Sequence, residues 1–264
     1  MSYPIRLGLI SDVHSNPAAF RAVLDEFDRR NVDQIICLGD IIGLGANPEA
    51  CVTILRELVE QGKILSIVRG NHEDYLLKKL PVHNHNDANA AKLPEEILDL
   101  FRWNHSQISQ ESINFLSQFP RQENIRLGRT KIYVSHYPVH PTGTFMPFFM
   151  KPSLGECRKI FRFAHANIYL FGHTHVRTLR IGRNGDYYIN PGSVGCPIGT
   201  DSASAGILEL RGRRISYQQL DVDYDVERAI KKMLSYNDEH PAVTHTVNQF
   251  YRPLDDFDFD LLDD

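Results

Sequence analysis

Residues 5–40 read IRLGLISDVHSNPAAFRAVLDEFDRRNVDQIICLGD, and they hold the unit from which much of the chain is built. An apolar run at 5–11 gives way to Asp12-Val13-His14. Asn16 then offers a helix N-cap and Pro17 a first helical residue, while Phe20, Val23, Leu24 and Phe27 recur on one helical face. A second apolar run at 34–39 closes on Asp40. Strand, helix, strand is the crossover unit of a parallel sheet, and here each strand ends on a side chain able to bind metal.

The alternation continues with apolar runs at 64–69, 131–135 and 167–172. Asn47-Pro48 opens another helix in the same way and Gly62 ends it, and Ser153-Leu154-Gly155-Glu156 has capping-box spacing ahead of Ile160, Phe161 and Phe163. These units predict an α/β protein with a largely parallel sheet. After Gly172 the style changes. Runs at 176–181 and 187–189 flank Arg183-Asn184-Gly185-Asp186, and runs at 206–210 and 215–220 flank Arg211-Gly212-Arg213, so two hairpins either extend the main sheet or form a second one. Residues 226–236 read as a C-terminal helix.

Residues 80–120 break the pattern: they are helical but polar, carry His83, His85, His105 and the sole tryptophan, Trp103, and read as an insert over the active site. The His83-Asn84-His85-Asn86-Asp87 cluster reads as a loop and not as a further metal site. No repeat or low-complexity linker divides the chain, which predicts a single domain over 1–264 with an acidic tail at 250–264.

With 42% hydrophobic and 23% charged residues, the composition is that of an ordinary globular protein. A net charge of -4 argues against nucleic-acid binding over a broad basic surface. The four cysteines form no C-x-x-C pair, so no zinc ribbon or thioredoxin-type site is signalled. No run has the make-up of a signal peptide or the length of a membrane span. These features predict a cytoplasmic chain with reduced thiols.

The decisive observation is where the metal-capable residues fall. The five apolar runs end in Asp12-Val13-His14, Gly39-Asp40, Gly70-Asn71-His72-Glu73, His136 and Gly172-His173-Thr174-His175. In an open parallel sheet the carboxyl ends of the strands line the ligand crevice. Asp12 and His14, two apart, face the same side if the chain stays extended, and so do His173 and His175. Each motif alone has a plain explanation as a satisfied polar residue at a strand end. All five together, buried without a cation, would be costly, so metal binding is the economical reading.

These motifs resemble the blocks of the calcineurin-like metallophosphoesterase superfamily: D-x-H, G-D, G-N-H-D/E, a later His, and G-H-x-H. The loop Asn190-Pro191-Gly192-Ser193-Val194-Gly195, with Trp103, Ile108, Leu116 and Pro120, is similar to its small bacterial phosphodiesterase branch. The resemblance implies a sandwich of two mixed β-sheets flanked by helices. It further implies that Asp12, His14 and His175 hold one divalent ion, that Asn71, His136 and His173 hold a second, and that Asp40 bridges them. Two ions roughly 3.5–4 Å apart can clamp a phosphoryl group and generate a bridging hydroxide for in-line attack. Mixed nitrogen and oxygen donors suit Mn, Fe, Zn or Ni. His72 is left as the general acid for the leaving oxygen. Glu73 either anchors the helix start and orients a neighbour, or is a plain first-turn acid.

The departures narrow the class. The stretch after Asp40 lacks the Arg of protein phosphatases and symmetrical dinucleoside tetraphosphatases, and Leu44 stands where the bacterial branch usually has Tyr. His136 is followed by Tyr137-Pro138. The predicted activity is hydrolysis of a small, nucleotide-like phosphodiester. Its rivals are a phosphomonoesterase and a non-catalytic scaffold of the same fold that binds partners, and a homo-oligomer is compatible with either. The aromatic run at 140–150 reads first as a surface covered by the helical insert, then as a dimer contact, then as a stacking wall for a leaving group.

Overall fold

The computed structural model describes residues 4–78, 95–198 and 200–250. Two five-stranded sheets pack face to face. The first has β1 (Ile5–Ile10), β2 (Gln34–Cys37) and β3 (Ile64–Ile67) running parallel, with β9 (Ala203–Arg211) antiparallel to β1 and β10 (Arg214–Val222) at the edge. The second places β5 (Thr130–Ser135), β6 (Ile168–Leu170) and β8 (Tyr187–Asn190) parallel, flanked by the antiparallel edge strands β4 (Gln122–Leu127) and β7 (Thr178–Ile181). The alternation left open whether the hairpins extend a largely parallel sheet or form a second one, and the chain has the two mixed sheets that the family resemblance implies. The motif-bearing strands divide three to the first and two to the second, and the two hairpins supply a pair of strands to each.

The layers follow from which faces are apolar. Leu7, Leu9, Ile36, Leu38 and Val68 meet Ile132, Val134, Ile168, Leu170 and Ile189 between the sheets. Outside the first sheet lie α1 (Pro17–Arg29) and α2 (Pro48–Glu60), whose Phe20, Val23, Phe27, Val52 and Leu55 are buried against it. Outside the second lies α6 (Leu154–Ile160), started by the expected Ser153/Glu156 capping box. Asn16 caps α1 by accepting from Ala19 N, with Pro17 behind it. Asn47 stands at the same position of α2, yet its side chain makes no capping bond.

The described part of the insert is α4 (Glu95–Ser106) and α5 (Gln110–Leu116), both helical as expected. A short α3 (Asn71–Lys78) precedes it, and α7 (Val226–Leu234) and α8 (Ala242–Phe250) close the described chain. α8 packs on α4 and α7. The 83–87 cluster and the acidic tail lie outside the described residues. Among those described, no helix is long and apolar enough to cross a membrane, and all four cysteines are buried and outside any disulfide.

Candidate metal centre

The carboxyl ends of β1, β2 and β3 meet those of β5 and β6, and the loops there are laced together by backbone. Asp12 N donates to Gly39 O, His14 N to Asp40 O, Gly172 N to His136 O and Val194 N to Ser11 O. The motif residues therefore sit in one volume: Asp12, His14 and His175 group together, as do Asp40, His136 and His173, and His14, Asp40 and His72. Asn71 joins them, its Oδ1 lying 3.1 Å from His136 Nε2 and 2.8 Å from His173 Nδ1. All seven residues expected at the metals, and His72, are brought together.

The local backbone differs from the expected one. Asp12, His14, Asp40, His173 and His175 have φ of 54°, 46°, 51°, 70° and 55°, in the left-handed region, so neither D-x-H nor H-x-H is extended. Each such non-glycine residue costs about 1–3 kcal/mol, and such strain collects where the surroundings over-determine a functional geometry. Here the surroundings can be named. Gly70 lets β3 pass so close to Asp40 that an added Cβ would fall on its Oδ1. Gly43, at φ +103°, brings its loop onto the ring of His72.

Glu73 resolves the choice left by the sequence. Its buried carboxylate accepts from Asp40 N at 2.9 Å, Ile41 N at 2.8 Å, Ile42 N at 3.2 Å and Gly70 N at 2.7 Å. It ties the loop after β2 to the start of α3. Burial, with the charge of Asp40, pushes its pKa up to about 7 despite those donors. Two further sets of contacts brace the site, of which that of Asn104 has no recognisable sequence signal and the other belongs to the 190–195 loop already marked by the resemblance. Asn104, fully buried on α4, donates from Nδ2 to Ser15 Oγ, Gly43 O and Gly45 O and accepts Gly43 N. Asn190 donates to Gly172 O and Thr174 Oγ1, and Ser193 Oγ to Asp12 O, so the 190–195 loop braces both histidine and aspartate motifs.

The imidazoles disclose what the cluster is suited to hold. Nδ1 of His14, His136 and His175 each faces a backbone carbonyl, of Ile42 at 3.2 Å, Leu38 at 2.8 Å and Cys196 at 2.7 Å. A carbonyl can only accept, so each neutral ring carries its proton on Nδ1 and turns the Nε2 lone pair inward. Nε2 of His14 and of His175 then confront each other at 2.9 Å, with the Asp12 carboxylate beside them. Converging lone pairs need a proton or a cation between them, and this donor set fits a divalent metal. Protons are divided unevenly within it. Burial, then His175 and His72, holds His14 well below the usual imidazole range, and burial with His136 pushes His173 down to about 3. Burial opposes charge on His136 too, but Asp40 and Asp12 outweigh it and raise its pKa to about 10. Burial would raise Asp12 and Asp40, and their histidine neighbours hold both below the carboxylate range.

The sequence of the whole domain agrees with this site. The model of the calcineurin-like phosphoesterase superfamily domain matches residues 5–213. The chain belongs to this superfamily. It is 30% identical to an uncharacterized protein of Methanocaldococcus jannaschii over 245 residues, 86% of this chain and 91% of that one. The fold is shared with a metallophosphoesterase from Sphaerobacter thermophilus, at 24% identity and a TM-score of 0.64, over 92% of this chain and 98% of that one. It is shared also with a hypothetical protein from Pyrococcus horikoshii, at 14% identity and a TM-score of 0.76, over 95% and 100%. Calcineurin-like phosphoesterases work with divalent metals, and this chain has a His/Asp cluster that could hold such an ion.

Two flanks enclose the cluster of this phosphoesterase. On one, His72 meets Phe101 of α4 edge-on at 5.0 Å and His14 at 4.9 Å. On the other, the 140–150 loop lies against His173: Phe145 is stacked on it at 6.1 Å and Phe148 edge-on at 5.6 Å. The loop packs in one layer with Tyr137, just after β5, and with Cys157 and Phe161 of α6 and its C-cap. Leu100 and Trp103 of α4 pack with Met233, Val243 and Val247 of α7 and α8.

Proposed function

We propose that this chain is a dinuclear-metal phosphodiesterase, with Asp12, His14 and His175 holding one ion, Asn71, His136 and His173 the other, and Asp40 between them. The observation that carries the reading is the pair of inward Nε2 lone pairs on His14 and His175, 2.9 Å apart, within a cluster whose three overlapping groups are linked through His14 and Asp40. When bound, two divalent ions supply Lewis acidity that neutralises the phosphoryl oxygens and acidifies a water for in-line attack. The donor set admits Mn, Fe, Zn or Ni.

The chain's own residues do the rest. Backbone carbonyls fix three imidazoles in the tautomer that presents Nε2, and the left-handed turns aim the ligands without side-chain freedom to lose. His72 is the group for protonating the leaving oxygen: its main-chain N–H is anchored to Asp40 Oδ1 at 2.9 Å, while its buried Nδ1 has no partner among the described residues. Phe148, 36% exposed beside His173, offers an apolar face to an aryl or base leaving group, which supports a nucleotide-like substrate. We take the chain as one domain, since Met233 and Val243 pack with Ala46 in the loop next to the site.

The test is hydrolysis of an aryl phosphodiester and the matching monoester with added Mn, Ni, Zn or chelator. Metal-dependent turnover favouring the diester is the expected result. Preference for the monoester makes it a phosphatase, and no turnover of either by protein holding two metals would contradict the enzymatic reading.

A further inference from the structure

Behind the metal cluster lies a cavity of about 310 Å³, at the lower end of the range for small-molecule sites. It opens where the starts of α1 and α2 converge under α7. Ser15 and Asn16, both buried, and Asn47 line it, together with Ala18, Ala46 and Met233. None of the seven clustered residues or His72 does, so it is distinct from the centre, although Ser15 is the neighbour of His14.

Three observations give the occupant its chemistry. Arg228 and Lys232, one turn apart on α7, are exposed lining residues, and among the described residues neither is paired with a carboxylate. Lys232 lies over the ring of Tyr236 at 4.7 Å, which leaves its charge available. Asn47 occupies the N-cap of α2 but makes no capping bond, so its side-chain amide is uncommitted at the cavity wall. The N-termini of two thirteen-residue helices add their partial positive charges to this, and Glu49, the acid in the first turn of α2, does not line the cavity and is bonded to Ser109 and Ser112. Two cations and two helix starts suit a dianion better than a carboxylate. The alanine, proline and methionine lining suits an apolar body attached to it.

We infer that this cavity is a second ligand site, taking a small organic phosphate whose head is held by Arg228, Lys232 and the α2 N-terminus and whose apolar body lies on Ala18, Ala46 and Met233.

The probe is phenylphosphonate, which carries a phosphate-like head on a flat ring and resists hydrolysis, titrated calorimetrically into the metal-loaded full chain. The Arg228→Ala/Lys232→Ala double variant is expected to weaken binding at least tenfold. Ala18→Trp, which fills the cavity from an exposed position and keeps both cations, is expected to weaken it comparably. Metal content should equal that of the unaltered protein in both. Inorganic phosphate, lacking the ring, should bind at least tenfold more weakly than the phosphonate. Superimposable isotherms for all three proteins would mean that the phosphonate is held at the metal centre alone, and would overturn the inference. So would the absence of binding, or equal affinity for inorganic phosphate.

Discussion

At the scale of single residues, the centre works because few side chains have any choice. Glu73 shows this most plainly: one carboxylate satisfies four backbone N–H groups from two loops. Glu73→Gln keeps the shape but replaces one acceptor oxygen by a donor facing other donors. Each buried group left unsatisfied costs about 1–3 kcal/mol, so a loss of that order is expected in chemical denaturation. Metal should be held more weakly at the same time, since the Asp40 loop is released. His72→Ala should behave differently. It should retain both metals and lose rate most for poor leaving groups, which alone need a proton. Equal losses across a series of aryl esters would remove His72 from that role. At this scale the sequence was legible for identity and silent on conformation. The five motifs named the residues, but the alternation of a strand does not reveal that Asp12, His14, His173 and His175 turn left-handed. Asn104 left no trace either, because a lone asparagine in a polar helix looks like any solvated one.

Among the elements, those with strong patterns were found and those built on weak ones were missed. α1, with Asn16, Pro17 and the Phe20/Val23/Phe27 face, runs where its signals place it. β4 went unread because Gln122-Glu123-Asn124-Ile125-Arg126-Leu127 is an edge strand whose apolar positions are confined to Ile125 and Leu127. α8 was missed because Val243, Thr246 and Val247, its buried face, are β-branched and look more like strand than helix. Among the described residues, α4 of the insert reaches the site through Asn104 and Phe101. Asn104→Ala should therefore destabilise the protein by on the order of 1–3 kcal/mol, leaving Gly43 N without its acceptor. It should also loosen the loop that seats His72, seen as a lower kcat with little change in KM. Unchanged kcat in a folded Asn104→Ala protein would mean that α4 merely covers the site.

For the molecule as a whole, the sandwich brings the ends of five parallel strands from two sheets to one edge, and its stability and its chemistry share residues. Leu38 is an instance: its side chain is fully buried between the sheets, and its carbonyl holds His136 Nδ1. Leu38→Ala should cost about 2–5 kcal/mol by cavity formation. Metal binds the native state and not the unfolded one, so chelation should lower the melting temperature, by an amount that grows with the metal concentration removed. The division of the motif strands between two sheets was visible only through the family resemblance. Periodicity marks a strand as buried and parallel, but it does not say which sheet receives it. The central claim is that Asp40 joins two ions in one centre, and elemental analysis of metal bound per chain in the unaltered protein and in Asp40→Ala tests it most directly. The account predicts two ions per chain falling to less than one, with loss of phosphoester hydrolysis. An Asp40→Ala protein that still carried two ions and turned over normally would contradict it.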